Sequence, residues 1–300
     1  MEKFFKVYTI DFYIGHIEEK TKKIVYEDTV SATYPLTADF AIGRSVSDFL
    51  NTAEVTIYGL DETKRNKLKK DVIMDSRKYI KMVINAGYGE ASTTIYLGAV
   101  RECYSVRQGG ETEWKTVIDS VDSTVDLYSS EVRKTFSKET DQMTVVTGIS
   151  SELTELKLGK VSPYVDIPKN KRAVTYDGKV LDVLRDLKEG SVVIDNGLVN
   201  ILDMKRDILG SLGTLIVKCD TGLLGTPRRR NLYLSCDVIF EPQASLCQYC
   251  LLESSFDESL NKGYKIMGVA HNGTISGSKD SAFTTTLDLL VETEPFRIVP

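Results

Sequence analysis

Alternation of apolar and polar side chains runs through short segments in the outer thirds of this sequence and favours sheet-rich folds. The clearest segment is Asn51 to Leu60. Ala53, Val55 and Ile57 fall on one face of it, and polar side chains fall on the other. A period of two puts successive side chains on opposite sides of the backbone, which predicts a half-buried strand. Many such segments in one chain must be buried together in a sheet or a barrel.

The first part of the chain predicts an antiparallel sheet or barrel with one helix attached. Asp61 can cap a short polar helix from Glu62 to Lys70, because its side chain can accept hydrogen bonds from the free N–H groups of the first turn. Gln108-Gly109-Gly110 has the composition of a hairpin turn. The predicted strands are Asn51 to Leu60, Ile80 to Ala86, Ile95 to Val106 and Trp114 to Val121.

The middle part changes to helical spacing followed by a hairpin. Apolar residues three and four positions apart predict a helix within Asp141 to Leu153. A second helix is predicted over Asp177 to Glu189, with Asp177 as its cap and Gly190 as its end. Asn196-Gly197 between two β-rich segments is typical of a two-residue hairpin turn. The predicted stripes are Met143, Val146, Ile149 and Leu153 in the first helix, and Val180, Leu181, Leu184 and Leu187 in the second.

The last hundred residues return to strand patterns separated by turn residues. Glu241-Pro242 breaks one pattern, because proline has no N–H to donate to a neighbouring strand. Turns are also predicted at Thr221 to Pro227, where glycine and proline favour a tight bend, and at His271-Asn272-Gly273. The predicted strands are Leu215 to Cys219, Leu232 to Phe240, Leu246 to Leu252, Gly263 to His271 and Phe283 to Glu292.

These patterns predict a mainly β (α+β) protein. Two antiparallel β-domains, each a barrel or a sandwich, should flank a small α+β domain. The expected domains are residues 1–122, 123–205 and 206–300. Two or three domains suit 300 residues, since single hydrophobic cores rarely grow past about 250–300 residues.

Charge and hydropathy argue against several classes of protein. The chain carries 38 basic and 43 acidic side chains, a net charge of −5. A general nucleic-acid binder would need clustered Lys and Arg for phosphate contacts. The one dense cluster, Arg228-Arg229-Arg230, is interpreted as a solvated turn. The longest uncharged stretch, Ile266 to Ser278, is shorter than the about 20 apolar residues of a membrane-spanning helix. The start lacks an apolar signal core, so we expect folding in a cytoplasm.

The cysteines predict reduced thiols rather than a disulfide framework. Cys247 and Cys250 form a lone C-x-x-C pair, and a zinc site would need a second pair of ligands. The histidines, His16 and His271, are far away in sequence. A strand pattern places Cys247 and Cys250 on opposite faces, which disfavours a bridge or a shared metal. We therefore expect buried, reduced and inert thiols. The cysteines are Cys103, Cys219, Cys236, Cys247 and Cys250.

The sequence lacks the recognised catalytic signatures. It has no phosphate loop, no dinucleotide-binding glycine turn, no metalloprotease motif and no nucleophile elbow. His16 and His271 stand in strand or turn contexts, so a histidine-based triad is not expected. A glycosidase-like carboxylate pair stays open, because 43 acidic residues always include spatial pairs, but no pair stands out. We therefore predict that the chain is not an enzyme and has no catalytic, cofactor-binding or metal residues.

A series of turn and strand motifs occurs in an informative order. The series is Asn51 to Leu60, Val83 to Gly89 and Ile95 to Val100, then Val193 to Leu198 after a helix, then Thr221 to Pro227, Phe240 to Pro242 and Gly263 to Gly273. In this order it resembles the baseplate hub proteins of contractile phage tails and phage-tail-like bacteriocins. The resemblance covers nearly the whole chain. The Arg228 to Arg230 run and the Cys247/Cys250 pair depart from that family, which leaves the local loops open.

The resemblance implies a structural virion protein of the tail baseplate. In such hubs two tube-like β-domains flank a smaller domain, and three copies form a ring that caps the tail tube and carries the spike. The implied partners are two further copies of the chain, the tail tube protein, the spike protein and other baseplate proteins. DNA would pass through the lumen without specific binding, and assembly would take place in the host bacterial cytoplasm.

Three copies with two tube-like domains each would give six similar units around a channel. We expect the channel wall to be acidic or neutral, because the chain is acidic and a like-charged wall would not retain passing nucleic acid. Arg228 to Arg230 should lie outside the lumen or at a partner contact. The host, the choice between phage and bacteriocin, and the interface residues stay open at this point.

Two other classes of function also stay open. One is another component of a tail or injection machine, such as a tube initiator or a spike adaptor. The other is a cell-wall hydrolase or a carbohydrate-binding protein. Oligomeric mass separates a ring from a monomeric hydrolase, and loss of peptidoglycan turbidity would separate an enzyme from both structural alternatives.

Overall fold

The computed structural model is mainly β, which confirms the predicted fold class. It describes residues 5–18, 23–47, 50–75, 77–107, 109, 112–122, 124–165, 171–187, 192–255, 257–277 and 282–300. Gln108 and Gly110 of the predicted hairpin turn, and Gly190 at the predicted helix end, lie outside these residues. Among the described residues no helix combines the length and the apolar character needed to cross a membrane.

The first part of the chain wraps its strands around one apolar core. The alternation predicted for Asn51 to Leu60 is confirmed in β4 (Thr52–Tyr58), because Ala53, Val55 and Ile57 are buried and Glu54 is exposed. These side chains pack with alternate residues of the neighbouring strands. The strands are β1 (Lys6–Ile17), β2 (Ile24–Thr33), β3 (Ala38–Ser45), β4 (Thr52–Tyr58), β5 (Lys78–Tyr88), β6 (Ala91–Val106) and β7 (Lys115–Val121).

Helix α1 (Glu62–Leu68) begins where the sequence predicts. The Asp61 side chain accepts a hydrogen bond from Lys64 N at 2.9 Å and so caps the helix. At the other end, the Lys78 ammonium donates to the Lys67 and Lys69 carbonyls at 2.7 and 2.6 Å. These bonds satisfy carbonyls that the end of a helix leaves free. Both ends of α1 are therefore fixed.

The middle part packs short helices against small sheets. Asp141 caps α3 (Gln142–Ser150). The Val146 and Ile149 side chains of the predicted stripe are buried, whereas Met143 is 47% exposed. The hairpin at Asn196-Gly197 is confirmed, since both residues have the positive φ that a type I′ turn requires. The elements are α2 (Thr124–Tyr128), β8 (Glu131–Phe136), α3 (Gln142–Ser150), β9 (Lys157–Val161), β10 (Val174–Lys179), α4 (Val180–Leu187), β11 (Val192–Asp195) and β12 (Leu198–Ile201).

The second predicted helix begins three residues later than expected. Helix α4 starts at Val180, and Asp177 lies in β10, opposite Arg133 of β8. The prediction that Asp177 caps the helix is therefore wrong, because antiparallel pairing with β8 holds its backbone extended. The predicted stripe is nevertheless in the core of the middle part, with Leu187 partly buried.

The last part forms strands and short 3₁₀ turns, and the turn predicted at His271-Asn272-Gly273 is wrong. Strand β18 (Gly263–Ile275) continues through His271-Asn272-Gly273, because it pairs with β3 on one side and with β19 (Phe283–Val291) on the other. Strand β16 ends before Glu241-Pro242, as predicted. The strands are β13 (Asp207–Leu209), β14 (Thr214–Lys218), β15 (Leu223–Arg230), β16 (Tyr233–Ile239), β17 (Tyr249–Glu253), β18 (Gly263–Ile275), β19 (Phe283–Val291) and β20 (Arg297–Val299).

One sheet joins the first and last parts of the chain. Its strand order is β15-β16-β19-β18-β3-β4-β7-β6-β5-β1-β2, and β17 and β14 branch from β18. The joint is the antiparallel pair β3–β18, in which Ala41 lies opposite Asn272. The sheet serves two main apolar cores. The first lies mostly in the first part but includes Phe240, Ile275 and Phe283, and the second lies mostly in the last part but includes Val46. The division into domains at residues 122 and 205 remains our proposal.

Candidate functional site

The side of the long sheet that faces away from both cores carries mostly small and polar side chains, with Leu224, Tyr233 and Tyr104 as exposed exceptions. We call it the polar face. It consists of the residues that alternate with buried ones in eight neighbouring strands, β15, β16, β19, β18, β3, β4, β7 and β6. Arg228 in β15 lies at one border of this surface, and Glu102 in β6 lies at the other. Directly opposed residues of neighbouring strands share a side of the sheet. One row across six strands is Thr284, Asn272, Ala41, Glu54, Asp119 and Glu102.

Carboxylates outnumber cations on the described polar face. Asp39 accepts hydrogen bonds from the Tyr58 hydroxyl at 2.7 Å and from Thr274 Oγ1 at 2.5 Å. Asp237 accepts from Thr286 Oγ1 at 2.6 Å. Such bonds hold the charges in place at the surface. The carboxylates are Asp39, Glu54, Glu102, Asp119, Asp237 and Asp288, and the cations are Arg101, which pairs with Asp119, Lys115 and Arg228.

The arginine run lies in an edge strand, so the prediction of a turn is wrong. Strand β15 pairs with β16 and bulges between Leu224 and Arg228, where Gly225 has a φ of 67°. A bulge also accommodates a proline, which cannot donate to the ladder. Arg228 lies opposite Ser235 at the border of the polar face, and it is exposed, as is Arg229. The side chain of Arg230 lies outside the described part of the structure.

A buried arginine binds all three parts of the chain together. Arg44 in β3 is 3% exposed. Its Nη1 donates to Asp195 Oδ1 of the middle part at 2.9 Å, and its Nη2 donates to the Ala244 carbonyl of the last part at 2.7 Å. Asn51 adds a second link, since its Nδ2 donates to the Ile194 carbonyl at 3.0 Å. A buried charge is stable only with such partners, so the parts are fixed against one another here.

The structure places the two histidines in different environments. His16 Nδ1 lies 2.9 Å from Glu27 Oε1 at the exposed end of β1. His271 is fully buried in β18, and its Nδ1 lies 2.9 Å from Thr285 Oγ1. Burial, together with the nearby Arg44 guanidinium, lowers the pKa of His271 well below its usual value. His271 is therefore a neutral side chain of the sheet interior.

Cys247 and Cys250 do not share one strand, contrary to the prediction. Cys247 lies in a turn with a φ of 61°, whereas Cys250 lies in β17. Both thiols are free and completely buried, and burial raises their pKa. Cys247 and Cys250 therefore do not occupy opposite faces of one strand, although both thiols are buried as expected. Within the described ranges, no three His, Cys, Asp or Glu side chains are grouped so that they could hold a metal ion.

The other cysteines and one lysine complete the set of reactive side chains. Burial raises the pKa of Cys103 and of Cys236 to about 12. Cys219 is exposed at a 3₁₀ turn, so the expectation of a buried thiol is wrong there. Lys265 is completely buried, and its ammonium donates to the Asp203 and Met204 carbonyls at 3.2 and 2.9 Å. Burial lowers the pKa of Lys265. Charge alone would have assigned this lysine to the surface.

Comparison with known proteins decides the family. The family model described as Baseplate hub gp41 matches residues 24–289. The chain belongs to the baseplate hub gp41 family. It is therefore a structural protein of a tail baseplate. No curated protein matches the chain by sequence.

Two solved structures share the fold. The 43 kDa tail protein of prophage MuSo2 from Shewanella oneidensis is 11% identical, with a TM-score of 0.56 over 95% of this chain and 98% of that one. A chain of the lidded Francisella PdpA-VgrG complex is 8% identical, with a TM-score of 0.55 over 98% of this chain and 54% of that one. This chain therefore spans about half the length of the second structure. At these identities the likeness shows the fold alone.

Sequence reasoning did not find the polar face. Its alternating residues could be recognised in β4, but the face depends on the pairing of β3 with β18, which are more than two hundred residues apart. The one sign of this pairing in the sequence was the small side chains on both strands, such as Ala41, Gly43 and Ala270. Alone, they do not indicate which strands become neighbours.

Proposed function

We propose that three copies of this chain form a ring at the end of a contractile tail, between the tail tube and the central spike. Membership of the hub family supports a place in the baseplate. The observation that carries the proposal is the polar face, which crosses the first and last parts of the chain in one sheet. Each copy can thus contribute one uninterrupted wall segment to a channel.

The charge of the polar face suits a conduit for nucleic acid. Glu54, Asp119 and Glu102 lie side by side on neighbouring strands, and Asp237 and Asp288 lie towards the β15 end. A wall with this excess of carboxylates repels a polyanion, so DNA would pass without being retained. Arg228 stands at the border of the face, where it would meet a neighbouring copy rather than the open lumen.

The proposed role requires assembly rather than catalysis. The ring would contact the tail tube protein, the spike protein and other baseplate proteins, and it would assemble in the host bacterial cytoplasm before joining the particle. Release of peptidoglycan fragments by the purified chain, abolished by a carboxylate substitution, would contradict a purely structural role.

The mass of the purified chain in solution tests the ring. Sedimentation velocity of the full chain should give a mass three times that of the 33.5 kDa monomer. Electron microscopy of the parent particle should then place this chain as a ring at the end of the tail tube, with the polar face towards the channel. A strictly monomeric chain, or a ring with the opposite orientation, would contradict the respective half of the proposal.

A charge reversal tests the conduit. Glu54→Lys combined with Asp237→Lys should make the ring retain linear duplex DNA at about 150 mM salt, because basic side chains then line the wall. The matched control is Asp220→Lys combined with Glu258→Lys, two exposed positions in 3₁₀ turns away from the polar face. Equal DNA retention by both variants would mean that the polar face does not line the channel.

A further inference from the structure

An apolar loop projects from the first part of the chain, between α1 and β5. Val72, Ile73 and Met74 are 50%, 82% and 84% exposed. Single exposed apolar side chains are common on protein surfaces, but contiguous ones mark contact surfaces. We call residues Asp71 to Asp75 the apolar loop.

Hydrogen bonds within the apolar loop hold it in one arrangement. Asp71 Oδ1 accepts from Ile73 N at 2.8 Å and from Met74 N at 2.9 Å, and these bonds lower the pKa of Asp71. Asp75 Oδ2 accepts from Asp71 N at 3.0 Å. The two carboxylates thus bind the backbone of the loop, while the apolar side chains point to solvent. A loop ordered before binding loses less entropy when it docks.

An apolar groove with a volume of about 440 Å³ opens on the last part of the chain. It lies beside the parallel pair β13–β20, and Ile298 on its wall is 62% exposed. Its volume falls within the range of about 300–1,000 Å³ that is usual for sites that bury a ligand. The side chains that define the apolar groove include Ile208, Leu209, Tyr249, Pro295, Phe296 and Ile298.

The loop and the groove also differ in the charges beside them. Lys69, two residues before the loop, is exposed, and Glu292 on the groove wall is exposed as well. A lysine and a glutamate brought together favour one orientation of docking. Because Ile73 and Ile298 are both exposed to solvent, the loop does not fill the groove within a single copy.

We propose that the apolar loop of one copy docks into the apolar groove of a second copy, with Lys69 beside Glu292. A projection that fits a groove elsewhere on the same molecule produces a head-to-tail contact, which closes into a ring when the rotation between copies allows it. The inference rests on the proposed ring and names the surfaces that hold it together. The second copy is the occupant because the chain itself provides an apolar groove and the opposite charge beside it.

Sedimentation equilibrium of the full chain tests this docking. Ile73→Asp combined with Met74→Asp should raise the dissociation constant of the assembly on the order of 100-fold, because docking would bury unpaired carboxylates in the groove. Ile298→Asp should have the same effect from the other side. The matched control is Tyr128→Asp combined with Leu232→Asp, which adds the same charge at positions that are 66% and 53% exposed. The control should assemble like the wild type.

Disulfide cross-linking gives an independent readout. In a Cys219→Ser background, Met74→Cys with Ile298→Cys should form a bond between copies on oxidation with copper-phenanthroline, while Tyr128→Cys with Ile298→Cys should not. If the wild type is trimeric but the loop variant keeps its mass and the first pair does not cross-link, the docking is wrong and the ring stands. If the wild type is monomeric at every concentration, both proposals are wrong. If Ile73→Asp combined with Met74→Asp dissociates the trimer but Ile298→Asp does not, the loop contacts a surface other than the groove, and the docking proposal is wrong.

Discussion

The two main apolar cores of this chain are built in different ways. The core of the first part consists mainly of aliphatic and aromatic side chains from alternating strand positions, such as Phe12 and Tyr96. Both cores contain buried thiols, Cys103 in the first and Cys247 and Cys250 among those in the second, and the buried ammonium of Lys265 lies beside the second. Most of the first core follows strand alternation, with Leu60, Leu68 and Phe240 as exceptions. The second core takes a larger share of its residues from turns and has a buried cation beside it.

This difference shows that the last part depends on polar contacts as well as on packing. Lys265 binds the carbonyls of Asp203 and Met204, and Arg297 pairs with both Asp203 and Asp207 at 2.9 Å. These bonds hold the segment before β13 and the strand β20 against the second core. Loss of apolar volume should therefore affect the first part most, and loss of a charge should affect the last part and the joint between the parts.

The largest effect is expected in the first core. Phe12→Ala should lower the free energy of unfolding by about 3–5 kcal/mol, because it removes a fully buried ring and leaves a cavity. Urea denaturation measures the loss, and hydrogen exchange should locate it in β1 and β5. Tyr13→Ala is the matched control, since Tyr13 is next in the strand but 37% exposed, and it should cost less than about 1 kcal/mol. Similar losses at the two positions would contradict the packing of this core.

The second largest loss of stability is expected at the joint between the parts. Arg44→Met should lower stability by about 3 kcal/mol, because it leaves the Asp195 carboxylate and the Ala244 carbonyl without the guanidinium. Faster hydrogen exchange in β11 and β12 would report the loosened middle part. Arg133→Met is the control, because its pair with Asp177 is exposed and such pairs contribute little. Unchanged exchange in the hairpin would mean that Arg44 does not join the parts.

The buried ammonium of the second core should matter less than the joint. Lys265→Met keeps the apolar stem but leaves the Asp203 and Met204 carbonyls without their donor, so we expect a loss of about 1–3 kcal/mol. Hydrogen exchange should become faster in β13 and β20 and stay unchanged in β1 and β5. Lys262→Met at an exposed position serves as the control. A variant more stable than the wild type would show that packing alone holds this segment.

The smallest effect is a pH dependence at the boundary of the two cores. The pKa of His271 is depressed in the fold, while the unfolded chain binds a proton near the usual value of about 6.5. The stabilisation is therefore present above pH 6.5 and is lost as the pH falls below it, on the order of 1 kcal/mol per pH unit. His271→Gln should remove this pH-dependent contribution to stability. The measurement is the difference in urea midpoint between the variant and the wild type, which should change between pH 7.5 and pH 5.5. A constant difference across that range would contradict the prediction.

Local features of this chain could be predicted from sequence. The alternation in β4, the cap at Asp61 and the turn at Asn196-Gly197 were all confirmed. Each depends on backbone geometry within a few residues, so it does not require knowledge of the rest of the chain. The predicted cap at Asp177 and the predicted turn at Asn272 were wrong, because strands from elsewhere in the chain hold both residues extended.

Sequence patterns were enough to predict that this chain is sheet-rich, has a small α+β middle part and lies in the hub family. The pairing of β3 with β18, the burial of Lys265 and the polar face that crosses two cores are visible only in the folded chain. The physical reason is that alternation fixes which side of a strand is apolar but not which strand lies beside it. Strand neighbours, and the burial of a charge among them, follow from the packing of segments far apart in the chain.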